Sequence, residues 1–361
     1  MTDQVTRSAD DLKALCVRAL CRVGVGEADA GITADVLVAA DLRGVASHGV
    51  AHLRRYVDGL RAGTIVACPQ ERVVTETPAT AALDAGAGLG PPVSCRAMHK
   101  AIEKAAAVGA GFVTVRNSNH FGIAGYYAML ALPYDCIGLA LTNASPKAVP
   151  TFGRDAVLGT NPIAVAAPAR RERPFVLDMA TTTVPLGKLE IADRLGKPLP
   201  AGWAIDRDGL PAVDAHRALE EFRRNAGGGL LPLGGVGEAL SGHKGYGLAV
   251  AVEIFSALLS GAAFATLTYP RTREGQPLAA NLGHFFGAWR IDAFRPPDEF
   301  RAAMDELQQL LKNAPKAAGQ ERIYIHGEKE HEALERSLKE GIRLRPQLAA
   351  DLDALALELG L

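Results

Sequence analysis

Apolar residues recur every three or four positions over residues 8–23, where Leu12, Leu15, Cys16, Ala19, Leu20 and Val23 fall on one face. Ser8 followed by Asp11 is an acidic variant of a capping box, so a helix is expected to start there. A second helix is expected over 27–42, carrying Ile32, Val36 and Ala40 on one side and stopping near Gly44. A third follows "ASHGVAH", 46–52, with Leu53, Tyr56, Val57 and Leu60 in register and Gly63 as its stop. The first 75 residues therefore read as all helical.

From about residue 75 the period changes. "ATAALDAG" and "GFVTVRN" read as strands with a helix over 91–109 between them. "CIGLALTN", "NPIAVAAP", "PFVLDMA" and "NLGHFFGAWRI" are further short apolar runs bounded by Gly, Pro or Asn, as buried strands are. A long helix is expected over 244–260, and three more over 298–312, 329–340 and 346–359, the last entered through Pro346. The glycine-rich stretch 225–245 is too long for a tight turn, and a loop of that size points to function or mobility. The expected division is a helical part over 1–75, an α/β core over 76–297 and a helical C-terminal part over 298–361.

Charge excludes some functions. Lys and Arg number 39 against 40 Asp and Glu, which leaves no basic excess for nucleic acid. No apolar run reaches the ~18 residues that would cross a bilayer. The polar, acidic N-terminus is no secretory signal, so the expected compartment is the cytoplasm. Five cysteines, an odd number without CxxC spacing, argue against a disulfide framework, and Cys16 reads as a small buried hydrophobe.

Two turns carry candidate chemistry. His48 and His52 stand four apart, the spacing of a zinc helix, but Gly49 fills the place of the glutamate that such a helix needs, and no third-ligand motif follows; no metal is expected. Ser47 suits an N-cap of the third helix, and a Ser–His pair of helical neighbours would not face each other. That reading leaves His48 a candidate and no more. The second turn is "VRNSNHFGIAG", 115–125, which resembles a strand end, a polar turn and a glycine-spaced helix start. Its backbone N–H groups could hold an anion, with His120 at the mouth; an ordinary joint capped by Asn119 is the alternative. No GxGxxG fingerprint or P-loop is present.

Taken in order, "DLRGVASHGVAHLRRYVDGLRAG", "RNSNHFGIAGYYA", "LGTNPIAVAAP", "VLDMATTTVPLGK", "LPLGG", "GHKGYGLAVAVE" and "RIYIHGEKE" resemble the type-2 malate/L-lactate dehydrogenase family of NAD(P)-dependent oxidoreductases, which includes sulfolactate and ureidoglycolate dehydrogenases and cyclic-imine reductases. The resemblance implies an α/β, non-Rossmann fold, a cytosolic homodimer, NAD or NADP as cofactor and a small carboxylate as substrate. It implies that His48 exchanges the proton with the substrate oxygen, oriented by Ser47, with His120 as an alternative acid/base or a cofactor-side residue. The segments it assigns to the cofactor match His120, Phe121, Gly122, Ile123, Ala124 and Gly125, then Asp178, Met179 and Ala180, then Gly234 and Gly235, and the turn His326, Gly327, Glu328 and Lys329. Thr160 matches a substrate-contacting position. Two positions discriminate within the family. His52 stands where relatives carry an arginine that grips the substrate carboxylate, and Arg54 or Arg55 could replace it from the next turn. Lys188 stands where imine reducers carry an acid and is expected to polarise the keto oxygen or assist the carboxylate, so a 2-hydroxy/2-keto acid of the malate or lactate type is expected. A cyclic imine 2-carboxylate, or a cofactor-binding protein without activity, is the alternative.

Overall fold

The structure, a computed structural model, describes residues 5–361. Ser8 caps the first helix as its spacing predicts, its Oγ accepting the Asp11 N–H at 3.0 Å. In chain order the elements are β1 (Val5–Arg7), α1 (Ala9–Arg22), α2 (Glu27–Leu42), α3 (Leu53–Arg61), β2 (Arg72–Glu76), β3 (Thr80–Asp84), α4 (Gly90–Val108) and β4 (Ala110–Ser118). Then come α5 (Ala124–Met129), β5 (Cys136–Thr142), β6 (Ile163–Ala167), β7 (Phe175–Met179), α6 (Leu186–Arg194), β8 (Ala204–Ile205), α7 (Ala215–Arg224) and β9 (Gly229–Leu230). The chain closes with α8 (Gly242–Glu253), β10 (Leu282–Arg290), α9 (Pro297–Asn313), α10 (Glu328–Glu340), β11 (Ile342–Leu344) and α11 (Pro346–Leu359).

By its contacts the chain divides into two units. The first holds the residues up to Ala140, Ala164–Asp178 and Phe286–Leu361; the second holds Leu141–Ile163 and Met179–Phe285. A seven-stranded sheet in the order β2-β3-β4-β10-β5-β6-β7 is built largely from the first unit. In it β2 and β3 pair antiparallel, while β3 and β4 pair parallel and are joined by α4, the crossover that parallel neighbours require. Gly109 ends α4 in the left-handed region (φ 94°), where a side chain would be strained. One bare position, Gly111, lets β4 lie on α4, because a Cβ there would overlap the Ala101 carbonyl. Val113, Val115, Phe286 and Ala288 of the sheet then bury against Ala97, Met98 and Ala101 of α4 and Tyr127 of α5.

A second core joins the two ends of the chain. Leu12, Cys16 and Leu20 of α1 pack with Leu37, Leu53 and Tyr56, and with Leu352, Leu355 and Leu359 of α11. β1 pairs antiparallel with β11, Thr6 opposite Arg343. The expected helical part holds two departures: β1, whose partner lies more than 330 residues away and left no local signal, and β2, which already begins at Arg72.

In the second unit, α6 and α7 bury Leu189, Ala218 and Leu219 in a smaller core. The stretch 225–245 is not one open loop. Asn225 ends α7 at φ 50°, Gly227 and Gly228 turn the chain at positive φ, and β9 then pairs with β8. The expected helix over 244–260 begins at Gly242, is α-helical to Glu253 and continues as a π-turn over Ile254–Leu258. There the Ser260 hydroxyl donates to the Ser256 carbonyl at 2.6 Å, satisfying a group that the regular ladder leaves open. Among the described residues no helix is long and apolar enough to cross a membrane.

Candidate active site

The site begins beneath its histidines. Asp41, in the last turn of α2, is buried, and its carboxylate accepts the Val50 N–H at 2.7 Å. Gly49 lies directly over that carboxylate, so that a Cβ there would overlap it. This close approach accounts for the glycine after His48. It also bends 46–52 into two successive 3₁₀ turns instead of the first turn of a helix. Ser47 is therefore not an N-cap: α3 starts at Leu53, and His52 occupies the cap position without a side-chain bond to the helix.

The same bend allows the pairing that helical geometry forbids. Ser47 Oγ lies 2.9 Å from His48 Nδ1, leaving Nε2 of His48 as the ring atom available for proton exchange. His52 Nε2 donates to the Ser47 carbonyl at 2.9 Å, which fixes the His52 tautomer, since a carbonyl only accepts. His120, after β4, brings a third ring to these two. Its centroid lies 5.5 Å from that of His48 and 4.6 Å from that of His52. His120 Nδ1 is bonded by the Tyr56 hydroxyl at 2.9 Å and by the Gly122 N–H at 3.4 Å. Nδ1 thus accepts, and the neutral ring carries its proton on Nε2.

The surroundings of His48 and His52 disfavour their charged forms. Burial, then the repulsion of the Arg55 guanidinium, holds His48 below the ordinary histidine range. Burial, His48 and Arg55 together press His52 to about 4, against a smaller opposing effect of the Ser47 carbonyl. His52 is therefore neutral across the physiological range and is no cationic clamp at mildly acidic pH. Arg54 is turned elsewhere, held by Asp58 and by Glu358 at 2.7 Å. Arg55, exposed in the first turn of α3, stands three residues beyond His52, a spacing that brings the two to one side of the helix start. Beneath them, burial raises Asp41 to about 7, with the Val50 N–H pulling the other way.

The segment 120–125 is bound into the same unit. Asn119 is not a cap: its Nδ2 donates to the carbonyls of Ala87 and Gly88, and Ile123 precedes α5. Phe121 is buried against Tyr127 and Phe286, and Gly122, at φ 84°, sits so close to Val36 of α2 that a side chain would collide. The anion expected at the start of α5 is already supplied by the protein. The Gly125 N–H donates to Asp178 Oδ2 at 2.7 Å; the side chain is open to solvent on one side, and desolvation by the surrounding chain raises its carboxyl to about 6. Ala124 is buried beside it.

The turn at 326–329 is anchored to β7, where the Val176 N–H donates to the His326 carbonyl at 3.1 Å. Gly327, at φ 93°, leaves room for Val176. Glu328, expected at the cofactor, is buried and uses its carboxylate on Lys312 (2.7 Å), Arg322 (3.1 Å) and the Ile325 N–H (3.0 Å), so it locks the turn. Lys329 lies over the Tyr324 ring at 4.4 Å. The His326 side chain is exposed and borders an apolar recess of about 230 Å³ walled by Phe175, Met304, Leu307 and Leu311. Gln308 lines that recess with a buried Oε1 that has no partner.

The remaining candidates belong to the second unit. The Thr160 carbonyl accepts the Thr181 N–H at 2.9 Å, and the next residue, Asn161, is fully buried with its Nδ2 on Glu253 at 3.0 Å. Met179 and Ala180 follow Asp178 along the chain and are half-buried. Lys188 is exposed in the first turn of α6. Gly234 and Gly235 take φ of 102° and 83°, and a Cβ on Gly234 would strike the Ser241 backbone. Among the described residues no three His, Cys, Asp or Glu side chains gather as a metal site would.

Sequence reasoning missed three residues. Tyr56 reads as core by its period and is buried, but its hydroxyl is the partner of His120; a buried tyrosine needs such a partner, and its place four residues beyond His52 was the available signal. Asp41 stood out only as a charged residue on an apolar helix face. Arg43, after α2, gave no signal and is half-buried beside Asp178 and Glu330, the two carboxylates that act on it.

Comparison with known proteins agrees with this geometry. The sequence profile described as malate/L-lactate dehydrogenase matches residues 7–353. A malate dehydrogenase of Pyrococcus abyssi is 46% identical over 351 residues, covering 97% of this chain and 94% of its own. An L-sulfolactate dehydrogenase of Methanocaldococcus jannaschii is 41% identical, covering 97% and 96%. The structure of malate dehydrogenase from Pyrococcus horikoshii superposes with a TM-score of 0.90 at 42% identity, over 100% of this chain and 98% of that one. With SHG turn, fold and whole-length similarity in agreement, the chain belongs to the malate/L-lactate dehydrogenase family.

Proposed function

We propose that the protein is an NAD(P)-dependent 2-hydroxyacid dehydrogenase, transferring hydride reversibly between nicotinamide and a small 2-hydroxy or 2-keto acid of the malate or lactate type. The observation that carries this reading is the coupled set Ser47, His48 and His120 with Tyr56, in which one imidazole has a free Nε2 for proton exchange and a second carries a proton on Nε2. The chemistry is that of a neutral base and a hydrogen-bond donor on one oxygen.

In hydroxy-acid oxidation, His48 takes the alcohol proton; in the reverse direction its protonated form returns it. Ser47 holds the ring through Nδ1 in both. Because burial and Arg55 lower the His48 pKa, the protein without substrate is set up as the base. Arg55 is the cation we assign to the substrate carboxylate, since His52 is neutral and Arg54 is held by Asp58 and Glu358. A carboxylate paired with Arg55 offsets the charge that repels a proton from His48. Substrate binding then raises the proton affinity of His48, so that the ring is held protonated and ready to deliver its proton when a keto acid is bound. Thr160, held by Thr181, and the exposed Lys188 are assigned to the substrate by resemblance.

The residues suit the dinucleotide. Asp178 retains a carboxylate oxygen beyond its bond to Gly125, an acceptor for ribose hydroxyls. The recess beside His326 has apolar walls and one orphaned acceptor, Gln308 Oε1, which matches a flat base bearing an amino group. His120–Gly125, Asp178–Ala180, Gly234–Gly235 and His326–Lys329 are the residues assigned to hold it. When bound, the nicotinamide donates or accepts the hydride.

Two further assignments complete the proposal. A homodimer is supported by the run of exposed apolar side chains Leu248, Ile254, Phe255, Leu258 and Leu259, which a lone subunit would leave in water; light scattering on the purified protein tests it. A cytoplasmic location is supported by five free cysteines.

The experiment is loss of NADH or NADPH absorbance with oxaloacetate, pyruvate, a sulfonated keto acid, a ureido keto acid and a cyclic imine carboxylate. Turnover of a keto acid is expected. Turnover of the imine alone, or of nothing despite cofactor binding, would overturn the assignment.

A further inference from the structure

We infer that Arg43 binds a phosphate of the dinucleotide cofactor. The inference rests on the functional reading above and adds to it a residue that neither the sequence motifs nor the comparisons single out.

The argument begins with position. Arg43 follows the last residue of α2 as its C-cap. Further back along α2, Val36 touches Gly122, and after Arg43 the bare Gly44 lies so close to α10 that a Cβ there would come within 3.3 Å of the Ala333 Cβ. The end of α2 is thus wedged between the 120–125 segment and α10, next to residues assigned to the cofactor. Asp178, bonded to Gly125, and Glu330, in the first turn of α10, are the carboxylates that act on the Arg43 charge.

The second element is what the side chain lacks. Arg43 is half-buried, yet its guanidinium makes no hydrogen bond among the described residues. Other arginines of this unit that face carboxylates bond them directly, as Arg96 bonds Asp29 and Glu71, and Arg173 bonds Glu335. Burial lowers the Arg43 pKa even with two carboxylates opposing it, so the charge is only partly compensated. A partly desolvated guanidinium with five unused donors is costly unless a ligand supplies acceptors. Its planar fork matches two oxygens of one phosphate, and this place in the cofactor site makes the ligand phosphate the acceptor.

A dinucleotide offers that chemistry from two sources, the diphosphate common to NADH and NADPH and the 2′-phosphate of NADPH. Titration of wild-type, Arg43→Gln and Arg43→Lys proteins with NADH and NADPH, read by nucleotide fluorescence, tests the inference and separates the sources. ADP-ribose, which lacks nicotinamide, serves as the control by calorimetry. We expect Arg43→Gln to weaken binding about tenfold or more, and Arg43→Lys, which keeps the charge without the fork, to weaken it less. Equal loss for NADH, NADPH and ADP-ribose assigns Arg43 to the diphosphate; loss for NADPH alone assigns it to the 2′-phosphate. Arg43→Gln or Arg43→Lys binding all three ligands within about twofold of wild type, with unchanged melting, would overturn the inference. If Arg43→Gln does not fold, Arg43→Lys carries the test. Failure of the wild-type protein to bind any of the three would instead overturn the functional reading.

Discussion

Asp41→Asn isolates the buried carboxylate on which the SHG turn rests. Asparagine keeps an oxygen for the Val50 N–H and nearly the same volume, so the turn is retained while the charge is removed. In the wild type, burial raises this carboxyl from an ordinary 3.8 to about 7. The folded state therefore binds the proton more tightly than the unfolded chain. The stability this contributes is complete below about pH 4 and is lost as pH rises through about 7. At ~1.4 kcal/mol per unit, the wild type should lose about 3 kcal/mol from this group between pH 5 and pH 8. Asp41→Asn lacks that loss. The stability difference between variant and wild type should therefore shift by about 3 kcal/mol in the variant's favour over this interval. Urea unfolding of both proteins at half-unit steps, with slopes compared to exclude a change in the unfolded state, measures it directly. Parallel stability curves from pH 5 to pH 8 would refute the reasoning, because they would mean that Asp41 is charged at no cost where it sits.

Other expectations follow from the same cluster. Arg55→Met should raise KM for the keto acid by about tenfold or more and raise the His48 pKa of the free protein, seen as a shift of the kcat/KM profile to higher pH. Unchanged KM would remove Arg55 from the carboxylate. Tyr56→Phe deletes the hydroxyl on His120 Nδ1 at 2.9 Å and should lower kcat with little change in nucleotide affinity. Equal kcat would leave His120 positioned by Gly122 alone. Protonating His52, whose pKa is depressed to about 4, should cost the fold stability that is present above about pH 6.5 and is lost as pH falls through about 4. His52→Gln should flatten that acid limb in the same urea series.

Much of the frame was legible because it is local. Residues with a strong helical period, such as Leu12, Cys16 and Leu20, or with a Pro start such as Pro346, specify their elements within one or two turns. What the sequence hid depends on distant partners. The two-residue strands β8 and β9 and the pairing of β1 with β11 have no periodic signal of their own. The SHG turn was misread as a helix start because Ser47 obeys the local capping rule, while the bend is imposed by Asp41 from the preceding helix. For the same reason the Ser47–His48 contact was discounted: adjacent residues do not face each other in an α-helix, but this segment is not one. The α5 start read as an anion site on its own glycines, and its anion proved to be Asp178, 53 residues on. Chemistry at single residues was visible in the motifs; the charges that set it, on Arg55 and Asp41, required coordinates.

The central claim is that His48 exchanges the proton while other groups hold the cofactor. The most direct measurement is steady-state turnover of the preferred keto acid by His48→Asn and wild type, with NADH affinity measured on the same preparations. The account predicts a fall in kcat of about 10²- to 10⁴-fold with nucleotide affinity almost unchanged, and loss of the acid-side pH dependence that His48 confers. Turnover within a few-fold of wild type, with that pH dependence intact, would contradict it and transfer the role to His120.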